Sequence, residues 1–201
     1  MKGRLLFMKK EKMKKYFVCK AENYECRVEA LDIPNEMIKN GEWVVLDSTA
    51  TETDIDSLEN ELKIKFPVDY RIYIGTCAHA FSCLSGSFDN FLFDDDVDIE
   101  LIIPMQRYGH EIQDIKEFLI ENSVLIQCGY IPIGIFNDNG YICIDTKREN
   151  EIRWLPYENC VGFDSYEEFH EESLPVFKSF EEYMNCYFMG TKHEIEDDED
   201  Y

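Results

Sequence analysis

The sequence predicts an α+β protein, with a mostly antiparallel central sheet flanked by helices and an extension at the N-terminus. Three observations carry that expectation. Two helical periods follow one another across residues 53–66 and 70–81. The middle of the chain changes to a β-rich pattern, with runs at 130–134 and 141–145 on either side of Asn137-Asp-Asn-Gly140. A last helical period at 180–189 closes on Gly190. Helices, then hairpin strands, then a helix is the order of an α+β domain. With 201 residues, 45% of them hydrophobic, the chain can bury a core, and wholesale disorder is excluded.

In chain order, residues 1–20 form a basic leader whose apolar stretch, Leu5-Leu6-Phe7-Met8, is too short for a signal peptide. Short strand-like runs follow at 16–19 and 26–31, then a turn at Pro34 and a strand at 43–46. The polar run 47–52, DSTATE, is expected to be a linker. Residues 1–50 hold too few apolar side chains for a core of their own, so they are assigned as an extension packed on a main domain, 51–190. Thr53 and Asp56 stand at capping-box spacing, and Ile55, Leu58, Leu62 and Phe66 make one helical face. Pro67 ends that helix and opens a second, in which Tyr70, Tyr73, Ile74, Cys77 and Phe81 repeat at helical intervals. Strands are expected at 88–93 and 100–103, a helix at 109–122, the hairpin at 130–145 and a further strand at 151–155. Ser165 with Glu168, and Ser179 with Glu182, are two more capping boxes. Residues 191–201 form an acidic tail.

Charge narrows the function. The chain carries 42 acidic against 20 basic side chains, a net of −22, with a pI near 4.4. The first 20 residues are net +7, which leaves −29 on the remaining 181. Nucleic acids and anionic membranes repel such a body, so neither is expected as a partner; basic proteins are. No apolar run is long enough to span a bilayer. The eight cysteines show no CxxC and no zinc-type spacing, so they are expected to be reduced thiols of a cytoplasmic protein.

The run Ile55-Asp-Ser-Leu-Glu-Asn-Glu-Leu62, followed by Lys65-Phe-Pro-Val-Asp-Tyr-Arg-Ile-Tyr-Ile74, resembles the opening of the SUKH superfamily. That superfamily includes yeast cell-wall-assembly and glucan-synthesis regulators and many immunity proteins of bacterial polymorphic toxin systems. The run Ile131-Pro-Ile, the turn 137–140 and Tyr141-Ile-Cys-Ile-Asp145 resemble its central hairpin and closing Asp, and Ser179-Phe-Glu-Glu-Tyr183 its last helix. The resemblance covers about 51–190, in order. One departure stands out: Thr76–Ser85 occupies the place of the family's Asn-Gly-Gly-type turn. The resemblance implies a SUKH-like fold and a non-enzymatic protein that neutralises a cognate toxin by direct contact. Its alternative is a housekeeping regulator or scaffold of the yeast type.

The residues themselves offer little chemistry. No HExxH, P-loop, GxGxxG or GxSxG is present, and His79, His110, His170 and His193 are scattered. No catalytic residue, metal ligand or cofactor is therefore assigned. The run Asp94–Asp98 lacks the Gly and distal Glu of an EF-hand loop; a metal-dependent hydrolase using it is the least favoured reading. What remains is acidity. Asp94, Asp95, Asp96, Asp98 and Glu100 form one cluster, and Asp164, Glu167, Glu168, Glu171 and Glu172 another. These carboxylates, with Tyr108, Tyr166 and Phe169 as anchors, are the expected contacts to a basic toxin, such as a nuclease whose substrate phosphates they would imitate.

Overall fold

The structure is a computed structural model that describes residues 2–22, 33–89, 97–136, 139–158, 160 and 162–194. The chain divides into two units: Met1–Ser82 with Pro104–Ile126, and Cys83–Ile103 with Gln127–Tyr201. Mixed α+β architecture holds as the sequence predicts. The expected strand at 26–31, the acidic loop at 94–96, the turn at 137–138 and most of the acidic tail lie outside the described residues.

The first unit contains α1 (Lys2–Glu22), a 3-10 turn (Asn35–Met37), β1 (Ile38–Lys39), β2 (Glu42–Trp43), β3 (Leu46–Asp47), α2 (Glu52–Leu62), α3 (Val68–Ile74), β4 (Cys77–Ala78), α4 (Glu111–Glu121) and the start of α5 (Ser123–Cys128). The leader is thus a helix, and no strand forms at 16–19. Met13, Tyr16 and Phe17 stand at i, i+3 and i+4, and that helical face is buried. The capping box of α2 is Thr51 with Asp54, two residues ahead of the expected pair. Both pairs have the right spacing; Asp56 is instead drawn to the Arg71 guanidinium, 2.8 Å away. The DSTATE run is not a free linker, because the buried Glu111 carboxylate accepts from Thr49 N at 2.9 Å and Thr49 Oγ1 at 2.8 Å.

Glu59 fixes the joint between α2 and α3. It is 1% exposed, although it looks in sequence like one of many surface acids. Its Oε2 accepts from Lys65 Nζ at 2.6 Å, and its Oε1 from Phe66 N at 2.9 Å and Arg71 at 2.8 Å. Lys63 ends α2 in the left-handed region, at φ 58°, and Pro67 then precedes α3. Burial alone would raise the Glu59 pKa, but the bonds from Lys65, Arg71 and Phe66 outweigh it and hold the carboxyl below its ordinary value of 4.5.

The second helix stops at Ile74 rather than continuing to Phe81. Residues 72–81 are buried without interruption, so helical spacing there marks no face and carries no information about period. The chain turns at Gly75 and becomes β4, which pairs with β3 through Leu46–Ala78 and Asp47–Cys77. His79 then exchanges two backbone hydrogen bonds with Gln106, at 2.8 and 3.0 Å.

The second unit is built on β5 (Cys83–Asp89), β6 (Val97–Ile102), β7 (Tyr130–Phe136), β8 (Gly140–Asp145), β9 (Ile152–Pro156), β10 (Leu174–Phe177) and β11 (His193–Glu194), with α6 (Tyr166–Glu172) and α7 (Phe180–Met189). They form one seven-stranded sheet in the order β10-β9-β8-β7-β6-β5-β11, antiparallel except for β11 on β5. The sequence shows neither α5 nor β10: α5 is too short to display a period, and β10 contains Pro175, tolerated because β10 is an edge strand. The final helix has the expected bounds. Ser179 caps it and Gly190 ends it at φ +67°, while the Glu182 carboxylate bonds Lys178 N instead of closing the box. Two glycines are demanded by close approach. At Gly86 a Cβ would lie 2.8 Å from Cys186 Sγ of α7, and at Gly140 it would strike the Leu155 carbonyl of β9.

Two expectations follow. Gly140→Ala should destabilise the protein by about 2 kcal/mol in urea unfolding, because the obstacle is backbone that cannot swing away. Glu59→Gln should cost about 3 kcal/mol at neutral pH, the loss expected on breaking a buried charged network. A carboxyl with a depressed folded pKa stabilises fully above its unfolded value, here 4.5, and loses that contribution as pH falls through the folded value. Thermal melts across the acid range should therefore be shallower for Glu59→Gln than for the wild type.

Candidate binding surface

The second acidic cluster is organised by α6. Ser165 caps it: its hydroxyl accepts from Glu168 N, and the Glu168 carboxylate accepts from Ser165 N at 3.2 Å. The hydrogen bond from Ser165 Oγ, with the Asp164 and Ser165 amides, holds the Glu168 carboxyl below its ordinary pKa. Asp164, Glu167, Glu168, Glu171 and Glu172 are all exposed. Phe169 faces the other way. It is 3% exposed and packs edge-on against Tyr130 and Phe163, so it belongs to the core and not to a contact surface.

A buried carboxylate anchors α6 to the end of the hairpin. Asp145, fully buried at the end of β8, accepts from Tyr166 Oη at 2.9 Å through Oδ2 and from Lys147 N at 2.9 Å through Oδ1. Tyr166 stacks on Tyr130 at 5.4 Å and on His170, one turn on, at 5.3 Å. The Lys147 ammonium lies 3.9 Å from the centre of the Tyr166 ring, a cation–π contact. Burial, and then the bond to Asp145, push the Tyr166 hydroxyl pKa up. His170 Nδ1 lies 3.6 Å from Asp145 Oδ2, and its Nε2 is 3.1 Å from the Arg148 guanidinium. Burial, with Arg153 and Arg148 nearby, lowers the His170 pKa, so the ring stays neutral and accepts from Arg148. Arg153 is itself buried, bonding Ser173 Oγ and the Ser173 carbonyl, both at 2.7 Å. In the sequence His170 stands apart from the other histidines. Its spacing of four from Tyr166 on one helix was the available signal.

Glu100, whose side chain alone of the first acidic cluster is among the described ones, is not joined by the structure to the second cluster. Tyr166 and His170 meet Asp145 at the Tyr130 end of β7, whereas Glu100 precedes Leu101, which pairs with Phe136 at the other end. The strands β6 and β9 are also three places apart in the sheet, about 14 Å at ordinary strand spacing. Glu100 is exposed on β6; Asp94, Asp95 and Asp96 lie outside the described residues, as does the side chain of Asp98. Tyr108 belongs to the first unit, where it packs half-buried against the cluster of Ile33, Met37, Ala78 and Ala80. Its neighbour Arg107 clasps the buried Asp114 at 2.6 Å.

Among the described residues no group of His, Cys, Asp and Glu is placed to hold a metal ion, and no helix is long and apolar enough to cross a membrane. The described cysteines are free thiols. Burial pushes Cys77 up to about 12 and Cys160 up to about 11, far from the values of reactive thiolates. His79 is fully buried in the first unit, and burial lowers its pKa to about 3. The unfolded chain binds that proton near 6.5, so acid favours unfolding across the interval between the two values. His79 should therefore remove about 1.4 kcal/mol of stability between pH 7.5 and 5.5, and His79→Gln should flatten that part of the stability profile in urea titrations.

No curated protein matches the chain. The model of the SMI1 / KNR4 family (SUKH-1) matches residues 49–186, which is more than half of its length, and the chain belongs to that family.

Proposed function

We propose that this protein is a non-enzymatic immunity protein that neutralises a cognate, basic toxin by direct contact. The observation that carries the reading is the exposed carboxylate face of α6, held rigid by a buried network on a family domain that accommodates immunity and regulatory roles. With a net charge of −29 outside the first 20 residues, a basic partner is drawn in by long-range attraction. Half-buried Tyr166 supplies an aromatic surface beside the carboxylates, and Tyr108 and Glu100 offer further contacts in their own places. The cluster 94–98 remains part of the same proposal. The regulator reading uses the same fold but needs neither a toxic neighbour nor a tight acidic contact.

Co-expression with the product of the neighbouring gene tests this directly. Rescue of growth together with a co-purifying complex is the expected outcome; a harmless neighbour that does not bind moves the protein to the regulator branch. Within such a complex, Glu167→Lys with Glu171→Lys should slow association about tenfold at low salt while leaving thermal stability unchanged. An unchanged association rate would remove α6 from the contact.

A further inference from the structure

His170 meets a different kind of partner on each of its ring nitrogens. Nε2 lies 3.1 Å from the Arg148 guanidinium, which has donors and no acceptor, so Nε2 must present its lone pair. The proton of the neutral ring therefore sits on Nδ1. That nitrogen faces three oxygens: Tyr130 Oη and Tyr166 Oη, each at 3.5 Å, and Asp145 Oδ2 at 3.6 Å. Charged and titratable groups thus reach the ring from several elements: Tyr130 from β7, Asp145 from β8, Arg148 from the turn that follows, Glu151 just ahead of β9, Arg153 within it, and Tyr166 from α6 itself. The imidazole is 19% exposed, so protons from water reach it, and Arg148 stands at an exposed position.

We propose that His170 and Arg148 form a proton-operated latch between α6 and the β8–β9 turn. Nε2 holds either the guanidinium or a proton, never both. On acidification Nε2 takes a proton, and the imidazolium repels Arg148 and Arg153 while its Nδ1–H turns to the Asp145 carboxylate. Arg153 is held in place by Ser173, so Arg148, the exposed partner, is the one that leaves and swings into water. The helix itself stays seated, because Tyr166 keeps its own bond to Asp145. What changes is the charge beside the acidic helix: the ring gains a positive charge, and the Arg148 charge is released from it. Burial and the two arginines hold the ring below its ordinary pKa of 6.5, so the latch is closed at neutral pH and opens in acid. The device goes beyond the immunity reading, since it operates in the isolated protein and needs no partner. A basic partner of the α6 carboxylates would meet the added positive charge, which makes its attraction weaker in acid.

Nitrogen NMR of the side chains in the intact wild-type chain, from neutral pH into the acid range, is the test. At neutral pH the His170 ring should carry its proton on Nδ1; a proton on Nε2 would overturn the proposal. The Arg148 guanidinium signals should shift with the same midpoint as the ring, and signals that stay still while the ring titrates would show that nothing is released and end it. In His170→Gln the Arg148 signals should lose that midpoint; if they keep it, another group drives them and the latch is refuted. Arg148→Ala should raise the His170 midpoint, and Arg148→Lys, which restores a cationic donor, should bring it back down. A midpoint unmoved by Arg148→Ala overturns the proposal. Should either variant fail to fold, the tautomer and the paired wild-type titrations decide.

Discussion

One buried carboxylate, Glu59, sets the geometry from which the first unit follows. Three donors converge on it, from Lys65, Arg71 and the Phe66 amide, and they come from both sides of the Phe66-Pro67 joint. A helix break at Pro67 leaves the direction of the next helix open, since proline constrains only its own φ and the residue before it. Glu59 closes that freedom by binding the connecting chain at two points and the next helix at a third. Arg71 also reaches Glu52 and Asp56 at 2.8 Å, so one guanidinium is shared by three acids of α2. The direction of α3 in turn places Tyr73 where it meets His79 at 3.2 Å, and with it the aromatic floor that α1 covers. Burying an unpaired carboxylate would be costly; here the number of donors makes it an organising element.

The parts of the fold legible in the sequence are those in which one residue type has one physical use. Gly190 past a helical period, Ser165 three residues before Glu168, and two β-rich runs around Asn-Gly each specify local structure with little competition, and the structure has all three. The misread parts are those in which burial erases the pattern. Residues 72–81 are inside on every side, so the alternation that separates helix from strand has nothing to report. The leader fails for the opposite reason: its lysines suggest a solvated segment, and only the short Met13, Tyr16, Phe17 face shows that they ride on a docked helix.

Acidity counted along the sequence is a coarse guide to which carboxylates face solvent. Counting carboxylates cannot separate Glu167, which faces solvent, from Glu59, Glu111 and Asp114, which are internal fasteners of the first unit. Each of these three accepts from a backbone amide as well as from a side chain, at Phe66, Thr49 and Arg107 respectively. Part of the protein's large negative charge is therefore structural, satisfied by donors within the chain. Exposed acids such as Glu167 and Glu171 of α6 keep their charge at the surface.

The same distinction explains why Asp145 matters more to the candidate surface than the acids around it. Its carboxylate is fully buried and offers no charge to a partner, yet Tyr166, Lys147 and His170 all take their positions from it. A contact surface must be rigid before binding if association is not to lose free energy in ordering it. The short helix α6, only seven residues long, could not supply that rigidity from its own hydrogen bonds. Stacking of Tyr166 on Tyr130 and His170, with its hydroxyl fixed on Asp145, supplies it from the sheet. The exposed carboxylates at 167, 168, 171 and 172 thereby share the order of β8 rather than that of an isolated turn of helix, because an inner acid fixes the element that carries the outer ones.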